Sequence, residues 1–247
     1  APLVGVAAGD DPLFAQLRDE RVIGPGHRSP QEWLPGAIAV VVWFLPYTQA
    51  IRMSNRRAPA MPSTGWLFGR VEGEAINNAV RDGAVRALTA AGARAVAPPR
   101  TAAFAVTENR ANWSERHAAF IAGLGTFGLS RALLTVRGCA GRIGSVITDS
   151  ALPPTPRAYR ALDEYCTQCR ACVARCPAGA ITAAGKQHPP CAAFLRQTKE
   201  QFAPRYGCGK CQTAVPCECS LPRPLKPGGM PADVAPLRAQ TKAPTGR

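Results

Sequence analysis

The sequence predicts a mixed α/β domain followed by a small cysteine-rich domain, and three observations carry that expectation. Strand-like apolar runs alternate with helical periodicity over the first part of the chain, the pattern of layered strands and helices. Pro153, Pro154 and Pro156 then interrupt the chain. Nine of the ten cysteines follow, between Cys166 and Cys219. The expected division is 1–155 for the α/β domain, 156–220 for the cysteine-rich domain, and 221–247 for a basic tail rich in proline and glycine.

Each element has its own signal. Ile38 to Leu45 is β-branched and aromatic without alternation, as in a central strand buried on both faces, and it stops at Pro46. Glu74 to Ala91 carries apolar residues at Ile76, Ala79, Val80, Ala84, Ala87 and Leu88, which predicts an amphipathic helix ended by Gly92. Arg94 to Ala97 and Ala102 to Val106 read as short strands. Glu115 to Ala122 reads as a helix with Ser114 as its N-cap. Leu133 to Val136 and Ile143 to Thr148 are two further strands around Gly138 and Gly141.

The cysteines specify chemistry. Cys166, Cys169, Cys172 and Cys176 stand at steps of 3, 3 and 4 residues with Pro177 behind, the run in which three thiolates converge on one 4Fe-4S cube and the fourth reaches a second. Cys191, Cys208, Cys211, Cys217 and Cys219 supply the remainder. Two 4Fe-4S clusters need eight thiolates. The expected sets are Cys166, Cys169 and Cys172 with a distant ligand, and Cys176, Cys191, Cys208 and Cys211. Ala214 occupies the usual place of that distant ligand, so the role falls to Cys217 or Cys219, with Cys217 favoured because it is nearer. A zinc site wants two pairs across a longer loop, and a disulfide framework wants a short secreted chain. A radical-SAM loop fails because Gly179 stands where its third cysteine would be. Cys139 lies apart in an apolar stretch, as a small buried hydrophobe would.

Composition bounds the rest. The chain has 247 residues and a formal net charge of +14, which favours an acidic partner, such as a flavodoxin or small ferredoxin acting as low-potential electron donor. The basic residues are scattered and no nucleic-acid motif is present. No run approaches the roughly 20 apolar residues of a membrane span, so no membrane association is expected. Oxygen-labile cofactors and the lack of a signal-peptide pattern point to the cytoplasm.

Gly123, Gly125 and Gly128 make a G-x-G-x-x-G, with Thr126 and Phe127 inside it. Such a hexapeptide can cradle a phosphate at a helix N-terminus. Here it follows a helix and leads into a strand, so a tight structural turn is an equal reading. Leu34-Pro-Gly-Ala37 running into a strand that ends Leu45-Pro46-Tyr47, then Glu115-Arg116 before Ala122-Gly-Leu-Gly125, then Gly144-Ser145 and the cysteine runs, resembles the epoxyqueuosine reductase family, which is similar to reductive dehalogenases.

That resemblance implies a nitroreductase-like α+β domain holding cobalamin, joined to a ferredoxin-like domain with two 4Fe-4S clusters, and a reduction of a small molecule or modified base. It places Tyr47, Asn112, Trp113, Ser114 and Glu115, with the glycine segment, around cofactor and substrate. The family's proton-donating acid corresponds to Asn109, with Glu108 beside it, and an amide cannot serve as that acid. The chain also lacks the helical-repeat extension with which the tRNA-modifying enzymes hold RNA, so tRNA is a disfavoured partner. Two other readings remain open on these residues: an electron-transfer or cofactor-handling module without its own substrate, and a flavin enzyme fed by the same clusters. His117, His27 and His188 read as packed or solvated side chains.

Overall fold

The computed structural model describes residues 1–222; the expected tail, apart from its first two residues, lies outside the described residues. The elements in order are β1 (Leu3–Ala8), α1 (Pro12–Gln16), α2 (Pro30–Trp33), β2 (Ala39–Pro46), α3 (Gln49–Arg57), α4 (Thr64–Ala90), β3 (Ala95–Val96), β4 (Val106–Thr107), β5 (Arg110–Ala111), α5 (Glu115–Ile121), β6 (Gly125–Phe127), β7 (Leu133–Thr135), β8 (Gly141–Thr148), α6 (Ala171–Ala174), β9 (Ile181–Thr182), β10 (Gly185–Lys186) and α7 (His188–Phe202).

The main sheet has the order β1-β2-β8-β3, and every pairing in it is antiparallel. β2 is central, with Val42 opposite Gly5 on one side and Ser145 on the other. Its alternate residues reach both faces. Val40, Val42 and Phe44 join Ile147, Phe120 and Ile121 in the core beneath α5, whereas Trp43 and Val146 pack against Ala84, Val85 and Leu88 of α4. A strand covered on both sides reads as an uninterrupted apolar run. Two of the buried indoles find side-chain acceptors, Trp43 Nε1 donating to Asn77 Oδ1 at 2.8 Å and Trp113 Nε1 to Ser145 Oγ at 2.9 Å.

α4 begins ten residues before the stretch whose periodicity announces it. Gly65, Gly69 and Gly73 depress helix propensity there, but they form a flat face. Added Cβ atoms would come within 2.7 Å of Ser54 Oγ at Gly65 and 3.2 Å of Ile51 and Tyr47 at Gly69. Ser63 caps the helix, accepting from Trp66 N at 3.1 Å. Packing of α3 outweighs the local preference. Among the expected short strands, residues 102–105 are not extended in a sheet, and pairing starts only at Val106.

The proline-rich stretch does not release the chain from the first domain. Thr155 N donates to Val6 O at 2.8 Å, Arg157 pairs with Asp11 at 2.6 Å, and Tyr159 is buried in the main core with its hydroxyl donating to Phe120 O at 2.5 Å. The cysteine-rich part is clamped in turn by α3. Asn55, fully buried, donates to Cys208 O and Thr213 Oγ1, both at 3.1 Å. Lys210 Nζ donates to Asn55 O at 3.0 Å and Ala58 O at 2.6 Å, and buried Glu218 accepts from Arg56 at 2.9 Å. Among the described residues no helix is long and apolar enough to cross a membrane.

Candidate functional site: a thiol-lined cavity beside a charged one

The cysteine loop is shaped by two non-glycine residues in the left-handed region, Gln168 at φ 55° and Arg170 at φ 59°. Successive turns of this kind aim backbone N–H groups into one concavity, suited to negative charge. Cys166 and Cys172 are buried and Cys169 is exposed. With Cys217 they line one cavity of about 360 Å³, counting space open to solvent, closed by Leu129, Leu134 and Val215. Cys219 is exposed and does not line it.

Cys176 belongs to a different group. Its Sγ accepts from Ala180 N at 3.3 Å. The Cys208 thiol is pushed up to about 12, first by burial and then by the charges of Cys211, Cys191 and Cys176 close by, against the lowering pull of the Lys210 N–H. Cys172 is likewise pushed up to about 12 by burial and by Cys211, Cys217, Cys166 and Cys169. Thiols crowded so that their charges oppose one another fit a cationic core that would hold them as thiolates. Among the described residues no three His, Cys, Asp or Glu side chains meet closely enough for a single ion; the sulfurs of the first group surround a volume.

A second and larger cavity, about 1100 Å³ with its solvent-open space, lies against β2 and β8. Arg70, Glu74 and Arg81 of α4, Glu115 and Arg116 of α5, and Arg142 of β8 supply its charges, and Phe44, Phe104 and Ile143 its apolar wall. Arg81, only 2% exposed, joins Glu74 at 2.7 Å and Glu115 at 3.1 Å, and Arg142 also pairs with Glu74. Arg116 donates to Arg131 O at 2.8 Å. Four guanidinium groups face two carboxylates, so the wall is net positive.

Glu115 is the titratable group of this wall. Its side chain keeps 17% of its surface toward the cavity although protein surrounds it. Burial raises its carboxyl from 4.5 to about 7, with Arg81 pulling the other way. The Ser145 hydroxyl pulls weakly as well, yet no group completes a hydrogen bond to the buried Oε2.

The other expected site residues are distributed unevenly. Tyr47 stands behind the cavity, edge-on to Trp66 at 5.0 Å, its hydroxyl raised by burial and lowered by Arg142. Glu108 and Asn109 are exposed at the tip of the β4–β5 hairpin, both with positive φ, and do not line the cavity. Asn112 ties that hairpin, accepting from Ala105 N at 3.0 Å and donating to Ala103 O at 2.8 Å. Trp113 is stacked in the core between Phe14 and His27. Ser114 Oγ bonds His117 Nδ1 at 2.7 Å in place of a backbone cap, and His117 is lowered to about 3 by burial and by Arg116. Gly125, Thr126 and Phe127 form the buried strand β6 against β7, Thr126 Oγ1 accepting from Tyr165 N at 2.9 Å. Gly123 and Gly128 flank it, and the segment leads from the C-terminus of α5 into β6 and β7 and not into a helix.

Arg70, Arg81, Arg142 and Cys139 were not anticipated as wall residues. A trace of the first two was present: residues 70, 74, 77 and 81 fall at helical spacing, a polar stripe on a helix that must bury its other faces. Cys139 is buried in an apolar cluster with Ala132, Leu134 and Cys166, as expected, and its sulfur also contacts Cys217.

Residues 162–182 match the family model described as 4Fe-4S binding domain. No curated protein matches. Among solved structures, epoxyqueuosine reductase from Streptococcus thermophilus superposes with a TM-score of 0.53 at 16% identity, over 91% of this chain and 65% of that one. The Bacillus subtilis enzyme gives 0.53 at 20% identity, over 93% and 65%. The catabolic reductive dehalogenase NpRdhA gives 0.60 at 15% identity, over 90% of this chain and 30% of that one. The chain thus spans just under two thirds of the length of the epoxyqueuosine reductases it matches. The chain carries a 4Fe-4S binding domain on a fold shared with epoxyqueuosine reductases and reductive dehalogenases.

Proposed function

We propose that this chain is an iron–sulfur reductase that takes electrons from an acidic low-potential donor through two 4Fe-4S clusters into a corrinoid, cobalamin by the resemblance, held in the larger cavity, and reduces a small molecule there. The observation that carries this reading is the juxtaposition of the two cavities: Cys166, Cys169, Cys172 and Cys217 line one, and Cys139, beside Cys217, lines the other. The set of Cys176, Cys191, Cys208 and Cys211 would hold the second cluster. When bound, the clusters supply one-electron steps and the corrinoid a strongly reducing metal centre.

The chain's own residues supply the rest. Arg70 and Arg116 offer donors to amide or anionic groups of a bound ligand, and Phe44, Phe104 and Ile143 exclude water from the apolar side. Glu115, its carboxyl raised by burial to about 7, can hold a proton in the wall of the cavity at neutral pH. The hairpin tip with Glu108 and Asn109 would reach a substrate only by swinging inward; in the Bacillus subtilis structure a catalytic loop is swung out of the active site. One solved epoxyqueuosine reductase, similar at 20% identity and TM-score 0.51, is bound to an epoxyqueuosine-modified tRNA stem loop. A modified base is therefore one substrate class to test beside free small molecules.

Anaerobic reconstitution with iron, sulfide and cobalamin, followed by metal analysis and electron paramagnetic resonance, tests the reading. About eight irons and one cobalt per chain are expected from two cubes and one corrinoid. About four irons removes the second cluster, and eight irons without cobalt removes the corrinoid.

A further inference from the structure

The ligand sets leave one buried sulfur without a role. Cys139 is 3% exposed, and its Sγ lies 3.9 Å from Cys217 Sγ in the geometry of an S–H donor. The contact is built into the backbone: Cys139 N donates to Cys217 O at 2.9 Å, and Ala140 N to Glu218 O at 3.2 Å. Gly138 makes the approach attainable, with φ 79° and space so tight that a Cβ would collide with Glu218 O. Cys139 also lines the large cavity, which Cys217 does not. One residue therefore forms the partition between the thiol-lined cavity and the charged one.

We infer that the Cys139 thiol donates a hydrogen bond to the Cys217 sulfur and thereby sets the reduction potential of the cluster that Cys217 would hold. The inference rests on the proposed ligand set, and Cys139 acts as a positioning residue through Cys217. A donor to a ligand sulfur draws off negative charge, and the reduced cluster, one electron more negative, gains more from that than the oxidised one. The bond raises the potential of this cluster alone. Electrons reaching the chain through the second cluster then run downhill to the cluster that Cys217 would hold. A thiol is a weak donor, so the expected size is up to about tenfold in the one-electron reduction equilibrium, equivalent to ~59 mV.

The test is a redox titration of the iron-loaded protein followed by paramagnetic resonance, on wild type, Cys139→Ala and Cys139→Ser. Cys139→Ala should lower the potential of one cluster by up to about tenfold in that equilibrium and leave the other where it was, at full iron content. Cys139→Ser, which keeps a donor, should recover most of the difference. Unchanged potentials in Cys139→Ala, an equal shift of both clusters, or failure of serine to restore overturns the inference. Iron content keeps the two levels of argument apart. If Cys217→Ser retains about eight irons while Cys139→Ser loses about four, Cys139 is the ligand and the assignment itself fails.

Discussion

Replacing Glu115 by glutamine isolates the cost of a buried carboxyl. In the folded chain this group takes up its proton near 7, against 4.5 for an unconstrained glutamate. At about 1.4 kcal/mol per tenfold change in proton affinity, that difference is worth about 3 kcal/mol. The folded state holds the proton more tightly, so the stability contribution is fully present below pH 4.5. It is lost progressively as pH rises through 7. Glutamine carries no such titration. The stability of Glu115→Gln relative to wild type should therefore climb by about 3 kcal/mol between pH 4.5 and pH 8 and then level off. Taking the difference cancels His27 and His117, lowered to about 4 and 3 by burial, which bias both proteins alike toward higher pH. Anaerobic urea unfolding of the iron-loaded proteins at several pH values measures it, with equal slopes in denaturant as the control. A difference that stays flat, or one that falls with pH, would refute the account of the cavity wall.

The remaining predictions concern the same elements. Arg81→Met leaves the Glu115 carboxyl without its nearest cation, and unfolding free energy should drop by about 3 kcal/mol at pH 8, with most of the loss disappearing at pH 5 where the carboxyl is neutral. Asn55→Ala removes donors to Cys208 O and Thr213 Oγ1 inside the α3 clamp; a loss of about 2 kcal/mol and faster iron release to a chelator, followed by absorbance, are expected. Stripping the iron should unfold the cysteine-rich part while β2 and β8 keep their protection in hydrogen exchange, because few large apolar side chains hold residues 166–220 together. Gly69→Leu should separate α3 from α4, where a Cβ already stands 3.2 Å from Ile51 and Tyr47, and cost at least ~2 kcal/mol in urea unfolding.

Features governed by neighbours in sequence were legible in advance. The apolar run Ile38 to Leu45 reads as a strand covered on both faces and the strand spans Ala39–Pro46, Gly92 ended α4 through its positive φ, and Ser114 marked the start of α5. The 3, 3 and 4 spacing of the cysteines announced cluster chemistry because three of the ligands come from one loop. The glycine hexapeptide shows the limit of such reasoning. Its pattern admits a phosphate loop or a tight packing turn, and the burial of β6 against β7, with a strand and not a helix following the glycines, belongs to the second arrangement.

Local spacing determined that this chain presents cysteines for a 4Fe-4S cluster behind a layered α/β domain, since those signals act over a few residues. Tertiary structure alone decided that Cys217 and not Cys219 joins the first cavity, that α4 extends back to Thr64 on a glycine face fitted to α3, and that Glu74, Glu115 and Arg142 share one wall. Those outcomes depend on side chains separated by tens of residues, and only the closing of the sheet and helices brings their charges and volumes within reach of one another.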